Sequence, residues 1–308
     1  MKHSDSTPAL SVSNLAKSYG DFQVIKGLDL QVEQEAIHGL VGLNGSGKTT
    51  TLECLLGLQQ FNGGEIQILG YHPEQIYLSH GRIVAIFDTP SLNLNLTVRQ
   101  CLKHASLLCQ QTSRSYEEVE SMLGIEAYSN FKIKNLSLGN KRRASIAQAL
   151  LGNPELVILD EPFNGLDAGG VDDVLDLIST FNAQHGTTFL LSSHQLPYLE
   201  QICSHVAILH HGQIQVNDSK SALLEQSASR VTIKTTRLDE ARALLASNDD
   251  IEVLESADED VLQLSLNQLD SAGVNSLLVN AGIPVSELVP HRASLDSLFR
   301  QATSEGST

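Results

Sequence analysis

The sequence predicts an α/β domain followed by a smaller α+β domain, and three observations carry that expectation. The first is Gly42-Leu43-Asn44-Gly45-Ser46-Gly47-Lys48-Thr49-Thr50, set between an apolar strand-like segment, Ile37–Val41, and a helix-like segment, Thr50–Leu56. A strand, a glycine-rich turn and a helix start are the context in which such a pattern binds phosphate. The second is a pair of short apolar runs, Leu156–Leu159 and Thr188–Leu191, that end in polar residues as central parallel strands do. Strands alternating with helices imply a ligand at the strand C-termini. The third is a change of character near Ala228, after which the pattern reads β-α-β-β-α-β.

Composition narrows the function classes. The chain has 308 residues, 41% hydrophobic and 18% charged, enough for a large domain and a smaller one. A formal net charge of −16 argues against broad electrostatic binding to nucleic acid. Cys54, Cys101, Cys109 and Cys203 form no CxxC pair and read as reduced, mostly buried thiols of a cytosolic protein. The start, Met1–Ser6, has no apolar run, so no secretory leader is expected there. No stretch approaches bilayer-spanning length, so any membrane role needs a partner that supplies the spanning helices.

In chain order, Ala9–Leu15 alternates like a strand, Lys17–Phe22 reads as a turn, and Val24–Val32 is strand-like again. Such a pair ahead of a phosphate loop can present an aromatic to a nucleotide base. Tyr19 is the candidate, and a plain surface tyrosine is the alternative. Gly63–Gly70 is a turn and short strand, and Arg82–Phe87 is a buried strand ending at Asp88. Residues from about Thr97 to Leu151 are mainly helical, with breaks near Gly124 and Lys134. Beyond Ala228, strands are expected at Arg230–Thr235, Ile251–Glu255, Val261–Leu266 and Val285–Val289, with helices at Leu238–Ala246 and Ala272–Gly282. This order suggests a ferredoxin-like unit, and Ser294–Phe299 begins a last helix. The expected boundaries are 9–225 for the first domain and 228–302 for the second.

The chemistry follows from residue types at strand and helix ends. Glycines let the loop backbone curl its N–H groups inward, and the helix start adds positive potential. Gly42, Asn44, Gly45, Ser46, Gly47, Lys48, Thr49 and Thr50 are therefore expected at the nucleotide. Lys48 reaches the β- and γ-phosphates, and the Thr49 hydroxyl coordinates Mg²⁺. Asp160-Glu161 follows an apolar strand directly, so Asp160 can hold Mg²⁺ and Glu161 can polarise a water as general base. The alternative is a solvated acidic loop. Ser137 and the Gly139 N–H sit ahead of a helix expected over Ala144–Leu151, where a second anion site or an ordinary Ser N-cap would fit. His194 follows the Thr188–Leu191 strand, where a neutral imidazole can sense a γ-phosphate or serve structure alone.

These residues together resemble the ATP-binding subunits of ABC transporters. The phosphate loop Gly42–Thr49, Leu136-Ser137-Leu138-Gly139-Asn140, Leu156–Glu161, Gly165-Leu166-Asp167 and His194 stand in the family's order over about residues 9–225. The resemblance implies a P-loop fold with an antiparallel β subdomain and a helical subdomain at about 97–151. It also implies a head-to-tail homo- or heterodimer in which Ser137 and Gly139 of one subunit face ATP on the other. Tyr19 would stack adenine, Asp167 would couple the two sites, and Glu161, His194 and Lys48 would serve hydrolysis.

Three departures refine the resemblance. The signature reads Leu-Ser-Leu-Gly-Asn for Leu-Ser-Gly-Gly-Gln, Glu35 stands where Gly is usual, and Asp88, a carboxylate that can still bind Mg²⁺, occupies the place of a Gln that binds Mg²⁺ and touches the permease. The branch handling lantibiotics and bacitracin-like peptides has a Ser-Leu-Gly signature and often Glu at that place. The C-terminal domain, with Ser294–Phe299, is also similar to that of drug and peptide exporter ATPases, and suits dimerisation or regulation. The expected protein is thus an ATP- and Mg²⁺-dependent exporter ATPase, peripheral on the cytoplasmic face of the plasma membrane and docked on a separate permease. It would bind neither nucleic acid nor soluble cargo directly. An importer ATPase, a soluble non-transport ATPase of the same family and a regulatory ATP-binding protein without turnover are the alternatives.

Overall fold

Buried residues at Leu10, Val12, Leu15 and Lys17 face a common core from β1 (Leu10–Tyr19), the first strand of a computed structural model that describes residues 7–88, 92–109, 113–226, 229–254, 261–267, 269–291 and 294–304. β2 (Phe22–Val32) pairs with it antiparallel. The turn expected over Lys17–Phe22 is narrower: Tyr19 pairs with Phe22, and Gly20 turns the chain at a left-handed φ of +57°. Glycine takes that conformation without a Cβ clash, so both strands run to the turn. After β3 (Ile37–Val41) and α1 (Lys48–Leu55), β4 (Gly63–Ile68) completes a three-stranded antiparallel sheet, β2-β1-β4.

The chain continues through β5 (Ile83–Ile86), α2 (Val98–Leu108), α3 (Tyr116–Met122) and α4 (Leu138–Ala149). It then runs through β6 (Leu156–Asp160), α5 (Ala168–His185), β7 (Thr188–Ser193), α6 (Leu196–Ile202), β8 (His205–His210) and β9 (Gln213–Ser219). The six-stranded sheet has the order β5-β6-β7-β3-β8-β9, parallel except for β9. Every residue of β3, β6 and β7 is buried, which is why these segments read as continuous apolar runs. One apolar cluster joins Leu10, Ile25 and Leu28 of the antiparallel sheet to Leu52 of α1 and Leu40, Ile158 and Leu190 of the larger sheet. Each such side chain contributes about 1.5–3 kcal/mol on burial. The phosphate loop is thereby gripped between two sheets.

Caps set the helix starts. Thr97 with Gln100, and Ser115 with Glu118, form reciprocal capping boxes. Ser137 Oγ accepts from the Asn140 N–H, and α4 begins at Leu138 rather than at Ala144 as the sequence suggested. The basic run 141–143 lies inside the helix, where its straight side chains are good helix formers. Asp167 caps α5 through the Gly170 N–H, and Gly186 ends that helix at φ +64°.

The chain divides into units 1–220 and 221–308, at the first residue of α7 (Lys220–Gln226), a few residues before the expected boundary. The second unit comprises β10 (Ser229–Lys234), α8 (Leu238–Ala246), β11 (Ile251–Leu254), β12 (Leu262–Leu266), α9 (Ser271–Asn280), β13 (Glu287–His291) and α10 (Leu295–Ser304). Its sheet has the order β11-β12-β10-β13, antiparallel throughout. Val231, Ile233, Leu245, Leu264, Val274 and Leu278 form its core. The last strand starts at Glu287, two residues later than expected, while Val285 packs against that core from the preceding turn. Among the described residues no helix is long and apolar enough to cross a membrane.

Candidate functional site

The loop between β3 and α1 takes its shape from glycine. Gly45 and Gly47 sit at φ +81° and +108°, and a Cβ on Gly42 would lie 2.4 Å from Ser46 Oγ and 2.7 Å from the Leu209 carbonyl. The loop can close this tightly only without side chains there. Ser46 Oγ is buried with no partner in the protein, as a group reserved for a ligand would be. Lys48 is the first residue of α1, and its ammonium folds back to donate to Gly42 O at 2.7 Å and Leu43 O at 3.4 Å. Thr51 Oγ1 donates to Gly47 O at 2.8 Å and anchors the first turn.

The end of β6 delivers both carboxylates, and the end of the neighbouring β7 supplies their hydroxyl and imidazole partners. Asp160 ends β6, in register with Ser192 of β7. Thr49 Oγ1 donates to Asp160 Oδ2 at 3.0 Å, and Ser192 Oγ donates to Asp160 Oδ1. Glu161 takes a left-handed φ of +47°, rare for a residue with a long side chain and costing on the order of 1–3 kcal/mol. Its N–H is held by Ser192 O at 2.8 Å, which fixes the turn. The Glu161 carboxylate meets Lys48 Nζ at 3.2 Å, accepts from Ser193 Oγ at 3.1 Å and contacts His194 Nδ1 at 3.0 Å. An ionised carboxylate only accepts, so Nδ1 carries the proton in that hydrogen bond. The parallel register of β3, β6 and β7 thus gathers Lys48, Thr49, Asp160, Glu161 and His194 at one sheet edge.

The remaining expected residues stand elsewhere in the first unit. Tyr19 is 47% exposed at the end of β1, its ring 4.6 Å from Lys17 Nζ. Ser137 and Gly139 lie at the N-terminus of α4, and Asp167 at that of α5. Among the described residues, no hydrogen bond or ion pair joins Tyr19, Ser137 or Asp167 to the Lys48–Glu161 cluster. Asp88 follows β5 and its carboxylate accepts from Arg142 Nη2 at 3.2 Å and Asn164 Nδ2 at 3.4 Å.

Sequence reasoning missed Ser192 and Ser193 as supports of the two acids. Their place at the polar end of the strand before His194 was the available signal. It also missed Arg142. Arg142, Ser145, Ile146 and Ala149 share one buried helix face, a spacing that the later expected helix start concealed.

The Thr49 hydroxyl and the Asp160 carboxylate, 3.0 Å apart beside a lysine at a helix start, are oxygen donors that would hold a hard cation such as Mg²⁺. No cluster of three or more His, Cys, Asp or Glu among the described residues forms a protein-only metal cage. Near the start of β3, burial and the neighbouring His205 lower His38 to a pKa of about 3.

The profile of the family described as "ABC transporter" matches residues 25–164. The chain is 31% identical over 295 residues to the "Bacitracin transport ATP-binding protein BcrA" of Bacillus licheniformis, covering 94% of this chain and 95% of that protein. It is 34% identical over 215 residues to the protein of the same name in Enterococcus faecalis, covering 68% and 70%. Among solved structures it is similar to one titled "Structure of ATP binding subunit of ABC transporter", with a TM-score of 0.64, 28% identity, and coverage of 71% of this chain and 93% of that one. With 31% identity to such a protein over 94% of its length, the chain belongs to the ATP-hydrolysing, ATP-binding proteins of ABC transporters.

Proposed function

We propose that the chain is the ATPase subunit of an exporter, docked on a separate integral membrane permease at the inner face of the plasma membrane. It drives out a peptide antibiotic, drug or lipid-like molecule. One observation carries this reading: likeness to a bacitracin transport ATP-binding protein extends over 94% of the chain and so includes the second unit. The Ser137-Leu138-Gly139 signature and the acid at position 88 point the same way and lean against an importer.

The chain's own groups suit hydrolysis. Lys48 is held by Gly42 O and Glu161, so arriving phosphates compete for its ammonium and free the Glu161 carboxylate. Glu161 then takes the proton of an attacking water, while His194 and Ser193 hold its carboxylate in place. Thr49 and Asp160 would hold Mg²⁺, which supplies neutralisation of charge on the β- and γ-phosphates. In a head-to-tail pair, Ser137 and the Gly139 N–H of the opposing subunit complete the phosphate shell, and Asp167 links the two sites. Tyr19 is exposed for adenine stacking. Closure of the pair on ATP and reopening after hydrolysis would drive alternating access in the permease. The second unit, whose described residues contribute no member of the hydrolytic cluster, would support dimerisation or regulation.

The test is to purify Glu161→Gln with ATP from host membranes and identify its companions. An integral partner without a solute-binding protein is the expected result. A permease joined to a solute-binding protein would make the chain an importer ATPase, and a ribosomal or DNA partner alone would end the transport reading.

A further inference from the structure

Arg142 is 1% exposed, an unusual place for a guanidinium. It projects from α4 little more than one turn beyond Ser137. Its Nη1 donates to Phe87 O at 2.9 Å. Its Nη2 donates to Asp88 O at 2.8 Å, to Asp88 Oδ1 at 3.2 Å and to Glu161 O at 3.3 Å. One side chain thus ties the helix capped by Ser137 to the ends of β5 and β6. Burial lowers the pKa of this guanidinium, and the adjacent Asp88 carboxylate opposes that shift, with Asp160 adding a weaker attraction. A buried cation is tolerated only when paired and hydrogen-bonded. The network continues: Asn164 donates to Asp88 and accepts from Gln195 at 3.0 Å, next to His194.

We propose that Arg142 is a positioning residue for ATP hydrolysis, with Asp88 as its counter-ion. The pair locks the start of α4 to the strand ends that carry Glu161, so that movement of α4 and placement of the general base are one event. A neutral residue at either place would leave the other charge unmatched. The Asp88 carboxylate is thereby committed to Arg142, and the protein's share of the Mg²⁺ site falls to Thr49 and Asp160. The inference rests on hydrolysis at Glu161 and is independent of cargo and of transport direction.

The experiment is a double-mutant cycle on the purified full chain: wild type, Asp88→Asn, Arg142→Met and the double variant. For each, kcat, KM for ATP and the Mg²⁺ concentration for half-maximal rate are measured. Each single change is expected to lower kcat by about tenfold or more, the scale of a misplaced catalytic group, with KM and Mg²⁺ requirement unchanged. Asp88→Asn should then cost nothing further in the Arg142→Met background. A raised Mg²⁺ requirement on Asp88→Asn in both backgrounds would make Asp88 a metal ligand and overturn the proposal. Multiplicative losses, or an unchanged kcat in the single variants, would overturn it too. Should Arg142→Met not fold, Asp88→Glu decides beside Asp88→Asn. The proposal requires the charged variant to retain more activity than the neutral one at the same Mg²⁺ requirement, and equal activity refutes it.

Discussion

Replacing Glu161 by Gln removes one negative charge and the proposed general base while keeping the side chain's shape. A positioned general base contributes about 10²–10⁴ in rate, which at 1.36 kcal/mol per tenfold is about 3–5 kcal/mol of barrier. The same change touches stability through Lys48. Both partners of that ion pair are buried, with side chains 6% and 10% exposed. Loss of a partner from a fully buried pair costs about 3–5 kcal/mol. Here Lys48 keeps Gly42 O at 2.7 Å, and the amide oxygen can still accept from Ser193. The ATP-free variant should therefore lose less, about 1–3 kcal/mol, or several degrees of Tm in a domain of this size. ATP reverses that loss because its phosphates supply Lys48 with anions. At a hundredfold excess over Kd, binding adds about 2.7 kcal/mol. The assay is phosphate release under saturating Mg²⁺ and ATP, with thermal melts in their presence and absence. A variant that hydrolyses within about threefold of wild type would remove Glu161 as the base.

Other outcomes follow from single contacts. Lys48→Ala should cost at least about a hundredfold in ATP affinity by loss of charge-assisted hydrogen bonds, and titration calorimetry giving an unchanged Kd would refute the phosphate-loop assignment. Gly212 sits at φ +81°, and its added Cβ would lie 2.1 Å from the Val24 carbonyl. Gly212→Ala should therefore destabilise by about 2 kcal/mol or more. Gly169→Ala, with nothing within 4 Å in α5, should instead stabilise by up to about 1 kcal/mol. Urea melts that fail to separate the two would contradict the packing at Val24. The His38 pKa is lowered from 6.5 to about 3. Between those values the unfolded chain binds a proton that the folded chain does not, so stability is full above pH 6.5 and falls on acidification. The slope from this residue is up to about 1.4 kcal/mol per pH unit. His38→Leu should flatten that slope, and an unchanged pH profile of urea stability would show that His38 is not its source.

What the sequence by itself determined lies close along the chain. Gly42 to Thr49 makes a phosphate cradle because its glycines, lysine and threonine act through the backbone they share. Asp160 and Glu161 were legible because an apolar strand must end where water and ligand begin. The second unit was legible because each of its strands and helices carries its own hydrophobic period. Within the first unit, tertiary structure decided how its pieces face one another. Glu161 meets Lys48 and His194 only through the register of three parallel strands, which local spacing does not encode. Arg142 looks like one of three surface cations in the sequence, and only the packing of α4 shows it buried against residue 88, 54 positions away. A local pattern fixes which backbone a residue can adopt, whereas a charge pair is decided by which distant strand end the fold sets beside it, and that is a property of the packed core.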